Sequence, residues 1–393
     1  VYIRTLLQHY IFGDMMMLGT MSIRQVLDDD LSMISLAEDQ LLDRNNDEIE
    51  VPFDPRFNMA KRMEIFRARA AQSFLDVLRT LCQNRCRIRR TLKHSVSDWD
   101  NLQLDAEELD LELRDFTKEQ PTVDSGFGSE PIFSFPLSSW SYFYKLRQME
   151  WIVQMGFELE VYQPDELAGM YWYLEHLTTT RVRHLERIRM FTMHRFTVSS
   201  AGKKRTPPKE LGFGRALSFL NFSMLEATAT QGFADALSCL YVVLGRLSLI
   251  RTPDLPYSDA TTRYELRMKP FLPVSLPEFM PYENFVSSVT QPEESTLDLI
   301  QFSADAAGRA RKDFELLGKL DGKTARCLGS EEAWMKNVKD CLKSCIMASI
   351  SIAAVRKAVD GVEKGEDITV RVELPQEGKG YHDWWIVPKI LPK

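Results

Sequence analysis

The chain has 393 residues, 44% of them hydrophobic, enough to fill the cores of two or three domains and too apolar for a disordered tail. Its formal net charge of −7, from 49 Lys and Arg against 56 Asp and Glu, argues against a general nucleic-acid coat, which needs a cationic surface. Six cysteines are too few for a disulfide framework and fit a reducing, cytoplasmic compartment, and the longest apolar run, Cys345 to Val355, falls well short of the roughly 20 residues of a membrane helix.

The net charge hides blocks. Residues 28–50 carry nine acids and one base, residues 61–93 ten bases and two acids, residues 98–119 nine acids and two bases, and residues 181–215 ten bases and two acids. Alternation on this scale predicts elements that pair with one another or with partners.

Val1 to Phe12 has a helical pattern and no initiator Met, so residues 1–55 read as a helical segment and acidic linker preceded by a missing N-terminal part. Neither Gly nor Pro occurs between Pro55 and Pro121, and apolar residues recur at steps of three and four from Met63 to Phe116. Residues 56–118 therefore read as a long helix or a helical hairpin. Ser95-x-x-Asp98 offers a capping-box break, but the apolar stripe keeps its phase across it, and one continuous helix is the expectation.

Residues 119–136 form a polar linker, and residues 137–250 a helical core. Trp140 to Met155 is apolar nearly all round and should be buried. Pro164, Asp165 and Glu166 mark a helix start, and that helix runs to about residue 198, where the basic linker AGKKRTPPKE ends it. A third long helix covers 214–250, with Gly232 as a candidate interruption. Six prolines between 253 and 281 then predict an extended, wrapping segment over 251–290. Residues 291–361 read as a helical pair. In 367–390, Ile368, Val370, Val372 and Leu374 alternate with polar residues, a strand expected to pair with Tyr381 to Val387 across Gly378-Lys-Gly380. No internal repeat is evident, which argues against a regular solenoid. The fold class is mainly α: an elongated multi-helix scaffold with long helices and a short C-terminal strand pair.

Catalytic constellations are weak. Lys209-Glu-Leu-Gly212-Phe-Gly214 superficially resembles an acetyl-CoA pyrophosphate loop, but AGKKRTPP upstream cannot be the strand such a loop requires. Cys82/Cys86 and Cys341/Cys345 each share a helix face in apolar surroundings, as small buried side chains would. His176, His184 and His194 fall on different turns among arginines, consistent with a solvated basic helix. The run Asn84 to Arg90 reads as a face paired with the acids of Asp105 to Glu112. Asp124-Ser-Gly-x-x-Ser129 looks like a phosphodegron in a flexible linker, and Met170-Tyr-Trp-Tyr-Leu174 fits core and interface equally.

Two stretches read together as a signature. Arg67 to Phe74, Gln83-Asn-Arg-Cys-Arg-Ile-Arg-Arg90 and Leu102-Gln-Leu-Asp-Ala-Glu-Glu-Leu-Asp110 resemble one segment of the large auxiliary subunit of the N-terminal acetyltransferase NatC, and Gly156-Phe-Glu-Leu-Glu-Val-Tyr162 through Tyr171-Trp-Tyr-Leu174 is similar to another. The basic linker, Arg263-Tyr264-Glu265 and the Pro-rich Phe271 to Tyr282 also look like that family's C-terminal half. The resemblance covers residue 60 to the end.

It implies a helical scaffold with no active site of its own, holding a GNAT-fold catalytic subunit and a small LSm-like subunit at the ribosome. The assembled complex would acetylate nascent chains that begin with Met and a hydrophobic residue. No cofactor is expected on this chain, since acetyl-CoA belongs to the catalytic partner. On the matching positions, Asn84, Arg85, Arg87 and Arg90 are expected to pair with Glu107 and Asp110 to orient helices. Glu158, Glu160, Tyr162, Tyr171 and Trp172 are interface candidates. Arg181, Arg183, Arg187, Lys203, Lys204 and Arg205 are candidates to meet an acidic partner or RNA, the last being the alternative reading of the chain as a ribosome-binding helical module.

Overall fold

The computed structural model describes residues 85–117, 136–200, 207–320, 331–363, 370–375 and 380–392, with parts of 61–76. The expected helix at Val1–Phe12, the acidic linker after it, the 119–135 linker with its phosphodegron-like residues, and Lys203 to Arg205 lie outside the described residues. By contacts the chain divides into two compact units, one of residues 1–148, 181–224 and 322–329, the other of 149–180, 225–321 and 330–393.

In the first unit, helix α1 (Arg85–Thr117) buries Leu92, Val96, Trp99, Leu102, Ala106 and Leu109, the stripe that its steps of three and four predict. The expectation of one continuous helix over 56–118 is corrected. Arg62 pairs with Glu112 and Arg69 with Asp105, so each step of seven along the first arm meets a step of seven back along α1. A straight helix would hold residues 62 and 112 about 75 Å apart, so the two stretches are antiparallel arms. Ser95 does not break α1; its hydroxyl donates to Gln148 Oε1 at 2.9 Å. A side chain that could cap a helix is here used to tie two helices together.

Helix α2 (Pro136–Glu158) is buried at every residue from 137 to 157, as its all-round apolarity predicts. Its first half belongs to the first unit, where Trp140 and Tyr144 pack against Trp99 of α1 with ring centroids 5.3 and 5.8 Å away. Lys145, wholly buried, reaches Asp100 of α1 at 2.6 Å. Burial lowers the Lys145 pKa, and the Asp100 carboxylate opposes that shift.

A 3₁₀ turn (Pro164–Glu166) in the second unit opens helix α3 (Leu167–Ser200), the start that Pro164 and its two acids mark; residues 181–200 of α3 and 207–224 of the next helix are counted in the first unit. Glu166 Oε2 accepts from the Gln163 N–H at 2.8 Å, half of a capping box. Helix α4 (Pro207–Arg246) runs through Gly232 without interruption. Gly232 faces helix α7 (Thr296–Leu317), where a Cβ would meet Ala310 Cβ at 3.4 Å, an ordinary packing distance. The expected extended segment at 251–290 holds two helices, α5 (Tyr257–Met268) and α6 (Tyr282–Thr290). Pro256 and Pro281 are their N-caps: proline bars a helix interior but suits its start, where the N–H has no intrahelical partner. Arg246 donates to the carbonyls of Thr290, Gln291 and Glu294 and so closes the end of α6.

Helix α8 (Glu331–Glu363) packs on α7, and Ser295 caps α7 by accepting from the Asp298 N–H. Strand β1 (Val370–Glu373) pairs antiparallel with β2 (Lys389–Pro392), in the register Val370 to Pro392. The partner expected at Tyr381 to Val387 is therefore corrected: Trp384, Trp385 and Val387 are buried in the core of the unit, and the Trp384 and Ile386 backbone groups bond to the hydroxyls of Tyr171 and Tyr241 instead of to a strand. No helix among the described residues is long and apolar enough to cross a membrane.

Candidate functional site

The side chains singled out in the first unit hold helices. Asp110, buried near the end of α1, accepts from the Ser138 N–H and hydroxyl, each at 2.7 Å, and from the Leu137 N–H at 3.3 Å. It caps α2, which has no acid in its own first turn. Burial pushes its carboxyl up to about 7, against the lowering effect of these three donors. Glu107 is half-buried and accepts from Gln103 at 2.8 Å. Arg87 is exposed, Asn84 lies outside the described residues, and Arg85 and Arg90 are placed only by their backbone in α1.

Of the basic candidates on α3, Arg183 is exposed and Arg187 half-buried, but Arg181 is wholly buried and offers no surface to an acidic partner. The solvated face expected around the histidines is corrected at His184. Its Nε2–H donates to the Ser139 carbonyl at 2.8 Å, its ring stands edge-on to Tyr142, and burial holds its pKa down to about 4, so it stays neutral.

In the second unit the interface candidates separate by burial. Tyr171, on α3, is 0% exposed and is the hub of the interior. Its ring stacks on Phe157 at 4.2 Å and lies near Tyr241 and Trp385, about parallel to both. Its hydroxyl donates to the Trp384 carbonyl at 3.0 Å and accepts from the Ile386 N–H at 2.7 Å, while Tyr241, on α4, donates to the Ile386 carbonyl at 2.7 Å. Ser351 on α8 donates to the Pro388 carbonyl at 2.5 Å. Three helices thus clamp the backbone of 384–388, satisfying polar groups that the core would otherwise strand.

Tyr162 is also interior. It packs so closely over Gly156 that any Cβ there would collide with its ring, and its hydroxyl donates to Val153 at 3.3 Å. Gly156 and Tyr162 are therefore one contact, bridged by a tight helix end. The Val161 N–H returns to Gly156 and the Glu160 N–H to Phe157, with Glu160 in the left-handed region at φ 49°. A surface role for Tyr162 and Tyr171 is corrected to a core role. Trp172 is half-buried, edge-on to Phe285; Glu158 is half-buried, and Glu160 is exposed.

Sequence reasoning missed what joins α5 to the start of α3. Arg263 binds Asp165 at 2.7 and 3.1 Å, and Arg267 binds Glu166 at 2.8 and 3.0 Å, two bidentate pairs, with Arg263 Nε also 3.0 Å from Glu166. Burial alone would raise Glu166, but the arginine and Gln163 hydrogen bonds hold it below the usual carboxylate range. Asp165 and Glu166 were legible as a helix start, and Arg263 as part of a motif; nothing in their spacing joined them. The Lys145–Asp100 pair and the Tyr241 clamp were missed for the same reason.

Chemically, these groups do structural work. Cys341 and Cys345 are buried free thiols whose pKa values burial raises, that of Cys341 to about 12, which keeps them protonated. No group of His, Cys, Asp and Glu among the described residues could hold a metal ion. Gly214, in the loop-like Gly212-Phe-Gly214, lies within α4 rather than in a phosphate-binding turn.

Among solved structures, the chain is similar to one in "Crystal structure of the NatC complex bound to Gag peptide and CoA", with a TM-score of 0.65 at 16% identity over 94% of this chain and 53% of that one. It is likewise similar to one in "Crystal structure of the NatC complex bound to Arl3 peptide and CoA", with a TM-score of 0.66 at 16% identity over 98% of this chain and 56% of that one. At that identity the likeness is one of fold. Curated relatives named "N-alpha-acetyltransferase 35, NatC auxiliary subunit" include the Saccharomyces cerevisiae protein, 24% identical over 244 residues, and the Homo sapiens protein, 24% identical over 224. These matches cover 55% and 57% of this chain and 30% of either relative. A family model described as "NAA35-like, TPR repeats" matches residues 1–387, although the helix-pair repeat in that description is not visible in the sequence itself. The chain belongs to the NAA35-like family.

Proposed function

We propose that this chain is a non-catalytic scaffold portion of a NatC-type N-terminal acetyltransferase complex. In this reading it holds a GNAT-fold catalytic subunit, which carries the acetyl-CoA, and a small LSm-like subunit, in the cytoplasm and at the ribosome. The complex acts on nascent chains that begin with Met followed by a hydrophobic residue.

The observation that carries the reading is what the buried and half-buried polar groups do. Asp110, Lys145, Tyr171, Tyr241, Asp165 and Glu166 are all used to join one helix or segment to another. Family membership over nearly the whole length supports it. The test is co-expression with the two small subunits followed by size exclusion. Co-elution of all three supports the reading, and elution of this chain alone contradicts it. The second reading, an RNA- or ribosome-binding module, keeps the exposed Arg183 but loses Arg181 to the interior. Salt-sensitive RNA binding by the isolated chain, without subunit capture, would favour it.

A further inference from the structure

Between α4 and α5 the chain runs through Arg251-Thr-Pro-Asp-Leu-Pro256 without regular structure, and every residue from 251 to 259 is exposed. Ile250, 8% exposed, anchors one end of this segment and the first turn of α5 the other. Two prolines set the backbone between these anchors. Pro256 stands at φ −52° and ψ 148°, close to polyproline II. A proline also turns the residue before it away from the helical region toward extended backbone, which here applies to Thr252 and Leu255. Among the described residues, no hydrogen bond engages the Thr252 hydroxyl.

Other hydroxyls nearby are committed. Thr261 and Thr262 donate to the carbonyls of Tyr257 and Ser258 inside α5. Ser295 is exposed, but its oxygen accepts from the Asp298 N–H at 3.1 Å as the cap of α7, so a modifying enzyme must first open a helix turn. Protein kinases hold the residue they modify in an extended stretch laid across the catalytic cleft, and one class requires proline immediately after it. Thr252-Pro253 meets both requirements without unfolding. We propose that Thr252 is a phosphorylation site for a proline-directed serine/threonine kinase. Its Oγ1 attacks the γ-phosphorus of ATP, the bond from that phosphorus to the bridging oxygen of ADP breaks, and the hydroxyl proton passes to the catalytic carboxylate of the kinase. The product carries a phosphate beside Arg251 on an exposed turn, a group that arginine clusters recognise. The inference is independent of the NatC reading, since it uses only this segment.

The test is incubation of the full folded chain with ATP, Mg²⁺ and a purified proline-directed kinase of the mitogen-activated class, with the modified residue located by tandem mass spectrometry. Phosphate should appear on Thr252, at a rate within about tenfold of that on a synthetic peptide of residues 247–258, because the fold already presents the segment extended. Pro253→Ala should slow the transfer about fivefold or more. Thr206-Pro207 is a second Thr-Pro pair in the sequence, so the mapping must separate the two. Mapping in the wild type needs no variant, and it stands even if Pro253→Ala disturbs the loop. No phosphate on Thr252, phosphate on Thr206 alone, a folded-chain rate below that range, or a rate that Pro253→Ala leaves unchanged overturns the proposal.

Discussion

Tyr171 shows how one side chain can organise a unit. Its hydroxyl serves as both donor and acceptor to the backbone of 384–386, and its ring lies among Phe157, Tyr241 and Trp385. Tyr171→Phe keeps the ring and strands the Ile386 N–H, so it should cost about 1–3 kcal/mol in urea denaturation, with the larger share from the unpaired donor. Glu160 is the converse case, a residue whose native backbone suits another amino acid. Its φ of 49° places a side chain where glycine is preferred, so Glu160→Gly should stabilise by up to about 1 kcal/mol, read as a rise in melting midpoint. Asp110 supplies the pH dependence. Its carboxyl moves from 3.8 in the free residue to about 7 in the fold. Between those values the folded chain keeps a proton that the unfolded chain has released. Stability from this site is therefore present at low pH and lost as pH rises through about 7. In parallel denaturation series, the wild type should lose ground to Asp110→Asn as pH climbs across that window; a difference that does not change with pH would contradict the assignment.

At the scale of elements, what lies within one helix was legible and what lies between helices was not. The stripe of α1, the all-round burial of α2 and the start at Pro164 follow from local spacing and chemistry, and each is observed. A stripe that keeps its phase looks the same in one long helix and in two arms; among the described residues, Arg62–Glu112 and Arg69–Asp105 distinguish them. A run of prolines predicts an extended segment, whereas Pro256 and Pro281 act as helix caps. Tyr171 belongs to a recognisable motif, yet whether so large an aromatic faces a core or a partner depends on Trp384 and Trp385, more than 200 residues away. The same limit hid the Lys145–Asp100 pair. Lys145→Met should destabilise by up to about 3–5 kcal/mol, because it removes the buried Lys145 charge from the Asp100 carboxylate. The double variant Lys145→Met, Asp100→Leu should recover most of that loss. A double variant no better than the single one would mean that the pair is not what couples α1 to α2.

For the molecule as a whole, the blocks of charge explain more than the net −7. The basic 61–93 and acidic 98–119 blocks meet in the antiparallel arms, through Arg62–Glu112 and Arg69–Asp105. Exposed pairs like these contribute little stability, but they fix register. Within the basic 181–215 block, Arg181 is buried, as is His184 beside it, whereas Arg183 is exposed and Arg187 half-buried. The chain spans 30% of the curated relatives above, and its fold is that of about half of the solved NatC-complex chains it resembles. A scaffold of this kind should acquire activity only through a partner. The most direct measurement is acetyl transfer from acetyl-CoA to a peptide beginning Met-Leu, made with this chain alone, with the GNAT-fold subunit alone and with the two co-purified. No transfer is expected from the chain alone, and a higher rate from the pair than from the catalytic subunit by itself. Transfer by the isolated chain, or a pair that does not form, would contradict it.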